Sequence, residues 1–160
     1  MTAQVIIIMG SKSDLAHAQG VAKTLKALEV SHEMRVCSAH KATRRLLEIL
    51  QEYEDAGALV YITIAGRSNA LSAVVDANTR YPVIACPPYS DRFGGMDVLS
   101  SLRLPSGIAS PTILEPEGAA LLAAKILALS DSQLGQRIES YQRGFSDDLA
   151  QADEEVRGIG

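Results

Sequence analysis

The chain has 160 residues, of which 47% are hydrophobic and 21% are charged, as is typical of one folded globular domain with a single core. The net charge of −4 excludes a global electrostatic attraction to nucleic acid or to an anionic membrane, so we expect neither partner. The two cysteines have no zinc or C-x-x-C spacing, which predicts reduced thiols and no metal site. No run approaches the ~18 apolar residues of a membrane span, and the first residues lack the features of a signal peptide, so we expect a cytoplasmic protein.

Short apolar runs alternate with helical patterns along the chain. Nearly continuous β-rich segments predict strands at residues 5–9, 33–37, 59–65 and 82–86, with a weaker fifth strand at 110–115. Apolar periodicity predicts helices at residues 14–28, 43–56, 68–78, around 96–102, and at 116–129. Asp14 and Thr43 are candidate N-caps, and Gly57 is a candidate C′ residue.

This alternation predicts an α/β fold, a three-layer doubly wound parallel sheet of about five strands that helices cover on both faces. In such sheets ligands bind beyond the carboxyl ends of the strands, near the point where the strand order reverses. The loops that leave those ends are polar, rich in glycine and titratable, and they comprise residues 10–14, 38–41, 66–69 and 87–97. We therefore expect the chemistry along this edge.

A last helix follows residue 130 and carries one apolar stripe, formed by Leu134, Ile138, Tyr141, Phe145 and Leu149. No further strand remains for this stripe to cover, so it packs either on its own sheet or on another subunit, and we expect the second. The chain is then a single domain, with an α/β core at residues 1–130 and a C-terminal helix at residues 131–160 that lies at a subunit interface.

The first loop, "MGSKSD", has features of a phosphate site. Gly10 permits a tight turn, and Ser11, Ser13 and the free amides of the first helical turn can hold a phosphate. Asp14 either caps the helix or accepts from ribose hydroxyls. The dinucleotide motif G-x-G-x-x-G and the P-loop are both absent, which argues against NAD and ATP.

His40 is one of three histidines, and its position at a strand end suits proton transfer near neutral pH. His17 lies in the body of a predicted helix and His32 precedes a strand, so both are interpreted as surface or structural residues. Lys41 is either a solvated lysine or the cation of the phosphate site.

The loop at residues 66–69 partly resembles the nucleophile elbow of serine hydrolases, with Ser68 at the nucleophile position. Those enzymes place their histidine after the serine, and no histidine follows residue 40, so we reject that mechanism. The alternative is a helix cap beside an exposed arginine. The long loop that begins at residue 87 is rich in Pro and Gly, and we interpret it as a pocket wall.

The chain resembles the aminoimidazole ribonucleotide carboxylase family of purine biosynthesis in six segments that keep the family's order. They are "IIIMGSKSD", "SAHK", "IAGRSNALS", "ACPP", "SSLRLPSGI" and "EPEGAALLAAKI". The resemblance runs from about residue 4 to residue 130. It implies an enzyme whose substrates are a small ribonucleotide and CO2, with no biotin, metal or nucleoside triphosphate as cofactor.

The family has two branches. One rearranges N5-carboxyaminoimidazole ribonucleotide and carries a histidine-containing glycine-rich loop after its third strand, usually with an arginine after Ser-Ala-His. This chain has Lys41 and "AGRSNALS" instead, which resembles the branch that joins aminoimidazole ribonucleotide directly to CO2. The resemblance also implies a homo-oligomer, with a tetramer favoured and an octamer possible.

The resemblance implies a role for each motif residue. His40 would be the general acid/base, and the phosphoribosyl part would be bound by residues of the first two loops, namely Gly10, Ser11, Ser13, Asp14, Ser38, Ala39 and Lys41. The base and CO2 would be lined by Gly66, Arg67, Ser68, Asn69, Ser90 and Asp91. Two alternatives stay open: the mutase on the same fold, and a non-catalytic flavodoxin-like nucleotide-binding module, which a bound flavin would colour yellow.

Overall fold

A computed structural model of the chain describes residues 3–56 and 60–159. Its strands are β1 (Val5–Met9), β2 (His32–Val36), β3 (Val60–Ile64) and β4 (Val83–Ala85). Its α-helices are α1 (Leu15–Ala27), α2 (Thr43–Ala56), α3 (Ala70–Asp76), α4 (Leu99–Leu102), α5 (Pro116–Ala128) and α6 (Ser132–Arg157). Two 3₁₀ helices, Lys12–Asp14 and Arg92–Val98, precede α1 and α4.

The four strands form one parallel sheet in the order β2-β1-β3-β4. Alternate side chains of the strands point to opposite faces, so each face has its own core. One core packs β1 and β3 against α1, α5 and the start of α6, and the other packs the opposite side chains against α2 and α3. The predicted three-layer doubly wound α/β architecture is confirmed.

The predicted fifth strand is reduced to a single parallel bridge between Ala85 and Thr112. The amide of Ala85 donates to the carbonyl of Pro111 (2.9 Å), and the amide of Ile113 donates to Ala85 (2.9 Å). Pro111 has no amide hydrogen and β4 has only three residues, so the pairing cannot extend further.

The prediction that helices cover every strand on both faces is wrong for β2. This strand lies at the edge of the sheet, and the side chain of Val36 is 52% exposed. Its sequence "HEMRV" contains the charged residues Glu33 and Arg35, as suits an edge strand that one helix layer covers incompletely.

The helix caps differ in part from those predicted from sequence. Asp14 precedes α1 but makes no capping hydrogen bond to a helix amide, and Thr43 is the first residue of α2, with its hydroxyl donating to the carbonyl of Ala39 (2.5 Å). Gly57 lies outside the described residues. Asp131 caps α6 by accepting from the amides of Gln133 and Leu134, both at 3.0 Å.

The apolar stripe of α6 divides into two parts. Leu134 and Ile138 are buried in the core beside α5, whereas Phe145 is 48% exposed and Leu149 is 72% exposed. The stripe therefore packs on its own domain as far as Tyr141, which is partly buried against the same core. Within the described part of the chain, no helix combines the length and the apolar character that crossing a membrane would require.

Candidate active site

The strand order places the reversal point of the sheet between β1 and β3, because the chain leaves β1 towards one edge and β3 towards the other. The loops after these two strands start in direct contact. The amide of Gly10 donates to the carbonyl of Ile64 (2.8 Å), and a Cβ at Gly10 would stand 3.4 Å from the Cβ of Ala65. A small residue at position 10 thus lets the two loops start side by side.

The first loop folds into a compact polar turn. The hydroxyl of Ser11 accepts from the amide of Ser13 (3.3 Å) and from its hydroxyl (2.9 Å), and it caps the 3₁₀ helix that follows. Both serines are exposed at the start of a helical segment. Their hydroxyls and the first amides can therefore reach an anion beyond the sheet.

Asp14 lies half-buried at the end of this turn. Burial raises the pKa of its carboxyl group, while the backbone of Ser11, the hydroxyl of Ser13 and the charges of His17 and Arg67 oppose that rise. Arg67 belongs to the loop after β3, so the charges of Asp14 and Arg67 attract each other between the two loops that flank the reversal point. Asp14 makes no capping bond to α1 and accepts a long hydrogen bond from the hydroxyl of Ser13 (3.5 Å), so its remaining lone pairs are available to accept from other hydroxyl groups.

The loop after β3 is fixed from within. Asn69 is buried, accepts from the amide of Ser72 (3.2 Å) as the N-cap of α3, and donates its side-chain amide to the hydroxyl of Ser101 (2.9 Å). Its backbone amide donates to Ser100 (3.0 Å). The helix-cap reading of this loop is thereby confirmed for Asn69, whose side-chain polar atoms already have partners inside the protein.

Arg67 and Ser68, in contrast, are exposed on that loop. Arg67 has a φ of 59°, a left-handed conformation that is uncommon for residues other than glycine, and its carbonyl oxygen contacts the hydroxyl of Ser100 at 3.1 Å. Tethering of the loop to α4 thus holds a guanidinium group outward at the reversal point. No local sequence pattern indicates this supporting role of Ser100 and Ser101, whose partners in this loop lie more than 30 positions away.

The long loop after β4, at residues 87–97, packs against the loop after β3. A Cβ at Gly66 would stand 3.5 Å from Cγ of Pro88, so the two loops are packed closely. The hydroxyl of Ser90 accepts from the amide of Arg92 (3.1 Å), and Asp91 is exposed. Phe93 and the two glycines after it all have positive φ, which turns the backbone left-handed and leaves the phenyl ring in solvent.

His40 and Lys41 lie on the loop after β2. The amide of Cys37 donates to the carbonyl of Met9 (2.8 Å), which places the start of this loop beside the end of β1. The loop turns on Ser38, whose hydroxyl accepts from the amide of Lys41 (3.4 Å), and on the buried Ala39. Both side chains are exposed, and in residues 3–56 and 60–159 neither of them forms a hydrogen bond or an ion pair.

The structure thus puts all of the predicted site residues on loops at one end of the sheet. Gly66 packs close to Pro88, and the charge of Arg67 acts to lower the pKa of Asp14. Among the described residues, no hydrogen bond or ion pair joins the side chain of His40 to another predicted site residue. No group of three His, Cys, Asp or Glu side chains within the described residues is arranged to bind a metal ion.

His17 lies closer to this edge than its helical pattern indicated. Its Nε2 is 3.3 Å from the Sγ of Cys86, which is fully buried at the end of β4. No local sequence pattern indicates this contact, because the two residues are 69 positions apart.

Comparison with known proteins gives consistent results. The family described as AIR carboxylase matches residues 4–148. A phosphoribosylaminoimidazole carboxylase of Archaeoglobus fulgidus is 49% identical over 154 residues, covering 96% of this chain and 85% of that protein. A human bifunctional phosphoribosylaminoimidazole carboxylase/phosphoribosylaminoimidazole succinocarboxamide synthetase is 43% identical over 155 residues, which are 96% of this chain but 36% of the human protein. The crystal structure of Treponema denticola PurE superimposes with a TM-score of 0.93 at 45% identity, covering 95% of this chain and 97% of that one.

Proposed function

Because the chain belongs to the AIR carboxylase family, we propose that it is a phosphoribosylaminoimidazole carboxylase of purine biosynthesis that joins CO2 directly to C4 of aminoimidazole ribonucleotide. The carboxylase activity follows from the family and from relatives that match nearly the whole chain. The direct use of CO2, rather than rearrangement of the N5-carboxy compound, is the finer part of the proposal.

The loop after β3 is the main support for the direct carboxylase branch over the mutase branch. No histidine follows residue 40, so the loop after β3 has Arg67 and Ser68 where the mutase branch has its histidine-containing loop. Lys41 also stands where that branch usually has arginine. The animal bifunctional proteins, whose names include carboxylase, match this chain over 96% of its length, which supports the same branch.

The proposed chemistry needs one base. The aminoimidazole is an electron-rich enamine, so C4 attacks the carbon of CO2, a C–C bond forms, and one C–O π bond becomes the carboxylate. The tetrahedral C4 then loses its proton to restore the aromatic ring. His40 takes that proton, and in the reverse direction its imidazolium returns it to C4.

The remaining loop residues bind and orient the ribonucleotide. Ser11 and Ser13 offer hydroxyls and amides to the phosphoribosyl part, Asp14 accepts from ribose hydroxyls, and Lys41 with Ser38 completes the phosphate site. Gly10 and Ala39 are the small residues that allow the loops to turn close to the ligand. Gly66, Arg67, Ser68, Ser90 and Asp91 line the side of the base and CO2, and Asn69 supports this lining from beneath.

The experiment supplies purified protein with aminoimidazole ribonucleotide and bicarbonate in one assay, and with N5-carboxyaminoimidazole ribonucleotide in another, while product absorbance is followed. We expect product from the first mixture at a rate that rises with dissolved CO2. Product from the second mixture alone would assign the mutase reaction instead. His40→Asn protein, which lacks the proposed base, is assayed in both mixtures to give the background rate.

We also propose that the single domain of residues 1–160 works as a homo-oligomer, with a tetramer favoured over an octamer. The support is the exposed second part of the α6 stripe, where Phe145, Leu149 and Val156 present apolar side chains to solvent in the isolated chain. A continuous apolar stripe of this kind is typical of a protein interface.

A further inference from the structure

His17 contacts a group that the proposed mechanism leaves unused. It lies in the first turn of α1, and its Nε2 is 3.3 Å from the Sγ of Cys86 across the end of the sheet. Burial raises the pKa of Cys86 to about 12, so this thiol is neutral and can donate its proton at neutral pH. Burial also lowers the pKa of His17, which the nearby carboxylates Asp14 and Glu115 oppose.

The contact joins separate loops of the candidate site. Cys86 directly follows β4 and precedes the long loop at residues 87–97, and its Sγ is also 3.8 Å from the carbonyl oxygen of Leu114. Glu115, the next residue, accepts a hydrogen bond from the hydroxyl of Tyr89 on that long loop. His17 therefore connects the first turn of α1 to the wall formed by the loop after β4.

Asp14 is the site residue that this connection affects. It lies three residues before His17, so the two side chains share one side of the helix start. The carboxylate of Asp14 makes no capping bond to α1, and it accepts only a long hydrogen bond from the hydroxyl of the adjacent Ser13 (3.5 Å), so its own segment holds it weakly. The ring of His17, which contacts Cys86, lies one turn further along the chain and interacts electrostatically with this carboxylate.

We propose that His17 is a positioning residue: its ring, held at Nε2 by the thiol of Cys86, fixes the Asp14 carboxylate relative to the loop after β4. The inference rests on the proposed function, which assigns Asp14 to the phosphoribosyl part of the substrate. His17 itself touches no reacting atom, so it affects ribonucleotide affinity more than the chemical step.

The test compares two amide substitutions in the full chain. The amide of Gln stands as many bonds from Cβ as Nε2 of histidine does, whereas the amide of Asn stands at the level of Nδ1. We expect His17→Gln to bind aminoimidazole ribonucleotide, measured by calorimetry, nearly as tightly as the wild type. His17→Asn should raise Kd and KM about two- to tenfold, as for one lost hydrogen bond, with a smaller change in kcat. Equal affinities for His17→Asn and the wild type, or equal losses in both variants, would overturn the proposal.

A double-mutant cycle with Asp14→Asn separates positioning from general stabilisation. If His17 acts through Asp14, its substitution should change Kd by less than about twofold once Asp14 is replaced, the usual error of additivity. An undiminished effect in that background overturns the proposal. His32→Asn is the matched control, because His32 starts β2 at the opposite end of the sheet and should leave Kd unchanged.

If circular dichroism shows that His17→Asn does not fold, Cys86→Ala breaks the same contact from the other side, and wild-type affinity in that variant refutes the role of His17. If the wild type binds the ribonucleotide but does not carboxylate it, the direct use of CO2 fails while the affinities still test His17. A wild type that does not bind the ribonucleotide refutes both.

Discussion

His40 is the residue on which the proposed chemistry depends most directly. General acid/base catalysis contributes about 10² to 10⁴ in rate, so His40→Asn should lose at least about a hundredfold in kcat in both the carboxylating and the decarboxylating direction. Substrate affinity and the fold should persist, because the His40 side chain is exposed and packs in neither core. Steady-state kinetics in both directions, with calorimetry for binding, would measure these quantities.

The pH profile adds an independent check on His40. A histidine base works only as the neutral ring, so wild-type kcat/KM should fall towards acid pH, and the residual activity of His40→Asn should lack that limb. His32→Asn serves as the control for replacing a histidine. Retention of activity within about tenfold of the wild type by His40→Asn would mean that another group carries the proton.

Lys41 tests the phosphate site. A cation that bonds the phosphate equally in the ground and transition states contributes uniform binding, so Lys41→Ala should raise KM about ten- to hundredfold, the size of a charged hydrogen bond, with a smaller loss of kcat. Lys26→Ala, at the last turn of α1, removes the same charge away from the loops and should change neither constant. A large loss of kcat at unchanged KM would instead place Lys41 beside the reacting carbon.

Local sequence identified residues whose role depends on their own loop and missed those whose role depends on distant partners. Ser11, Ser13 and Asp14 stand out because their spacing sets a turn and a helix start. Asn69 was assigned to the ligand, yet its side chain bonds Ser72 and Ser101, and a partner 32 positions away leaves no mark on the local pattern. The contact of His17 with Cys86 is not predictable from the local pattern for the same reason.

At the scale of elements, Asn69 joins the loop after β3 to α4 as well as capping α3. Asn69→Ala should lower the free energy of unfolding by about 2–3 kcal/mol, because it removes a helix cap worth about 1 kcal/mol and leaves the Ser101 hydroxyl without its partner. Chemical denaturation of both proteins would measure the difference. Asn78→Ala also removes a hydrogen bond, to Val74, but at an exposed site, and should cost no more than about 0.5 kcal/mol. Equal losses in the two variants would contradict the structural role of Asn69.

Strands and helices are predictable from the sequence where the period of the apolar residues is clear. The strand at residues 5–9 and the helix at 43–56 have the bounds expected from their apolar periods. The fifth strand failed because pairing depends on a neighbour: β4 offers only three residues, and Pro111 removes a donor. The exposure of β2 likewise follows from its place in the sheet order, which sequence periodicity does not encode.

At the scale of the whole molecule, α6 both completes the core and extends beyond it. Leu134 and Ile138 close one face of the sheet, so the first turns of this helix belong to the fold. Beyond Tyr141, whose ring meets Phe145 edge-on at 5.2 Å, the stripe continues with no cover from its own chain among the described residues. The same helix can therefore stabilise the domain and present an interface.

This division allows assembly to be disrupted without unfolding the domain. Leu149 is 72% exposed in the isolated chain, so Leu149→Glu should leave the circular dichroism spectrum unchanged. Burying an unpaired carboxylate in an apolar interface costs several kcal/mol or more, and the variant should shift from the expected tetramer towards smaller species in light scattering at micromolar concentration. Gln151→Glu adds the same charge about 200° further round the helix and should assemble as the wild type does. A monomeric wild type, or a Leu149→Glu protein of unchanged mass, would show that this stripe does not hold subunits together.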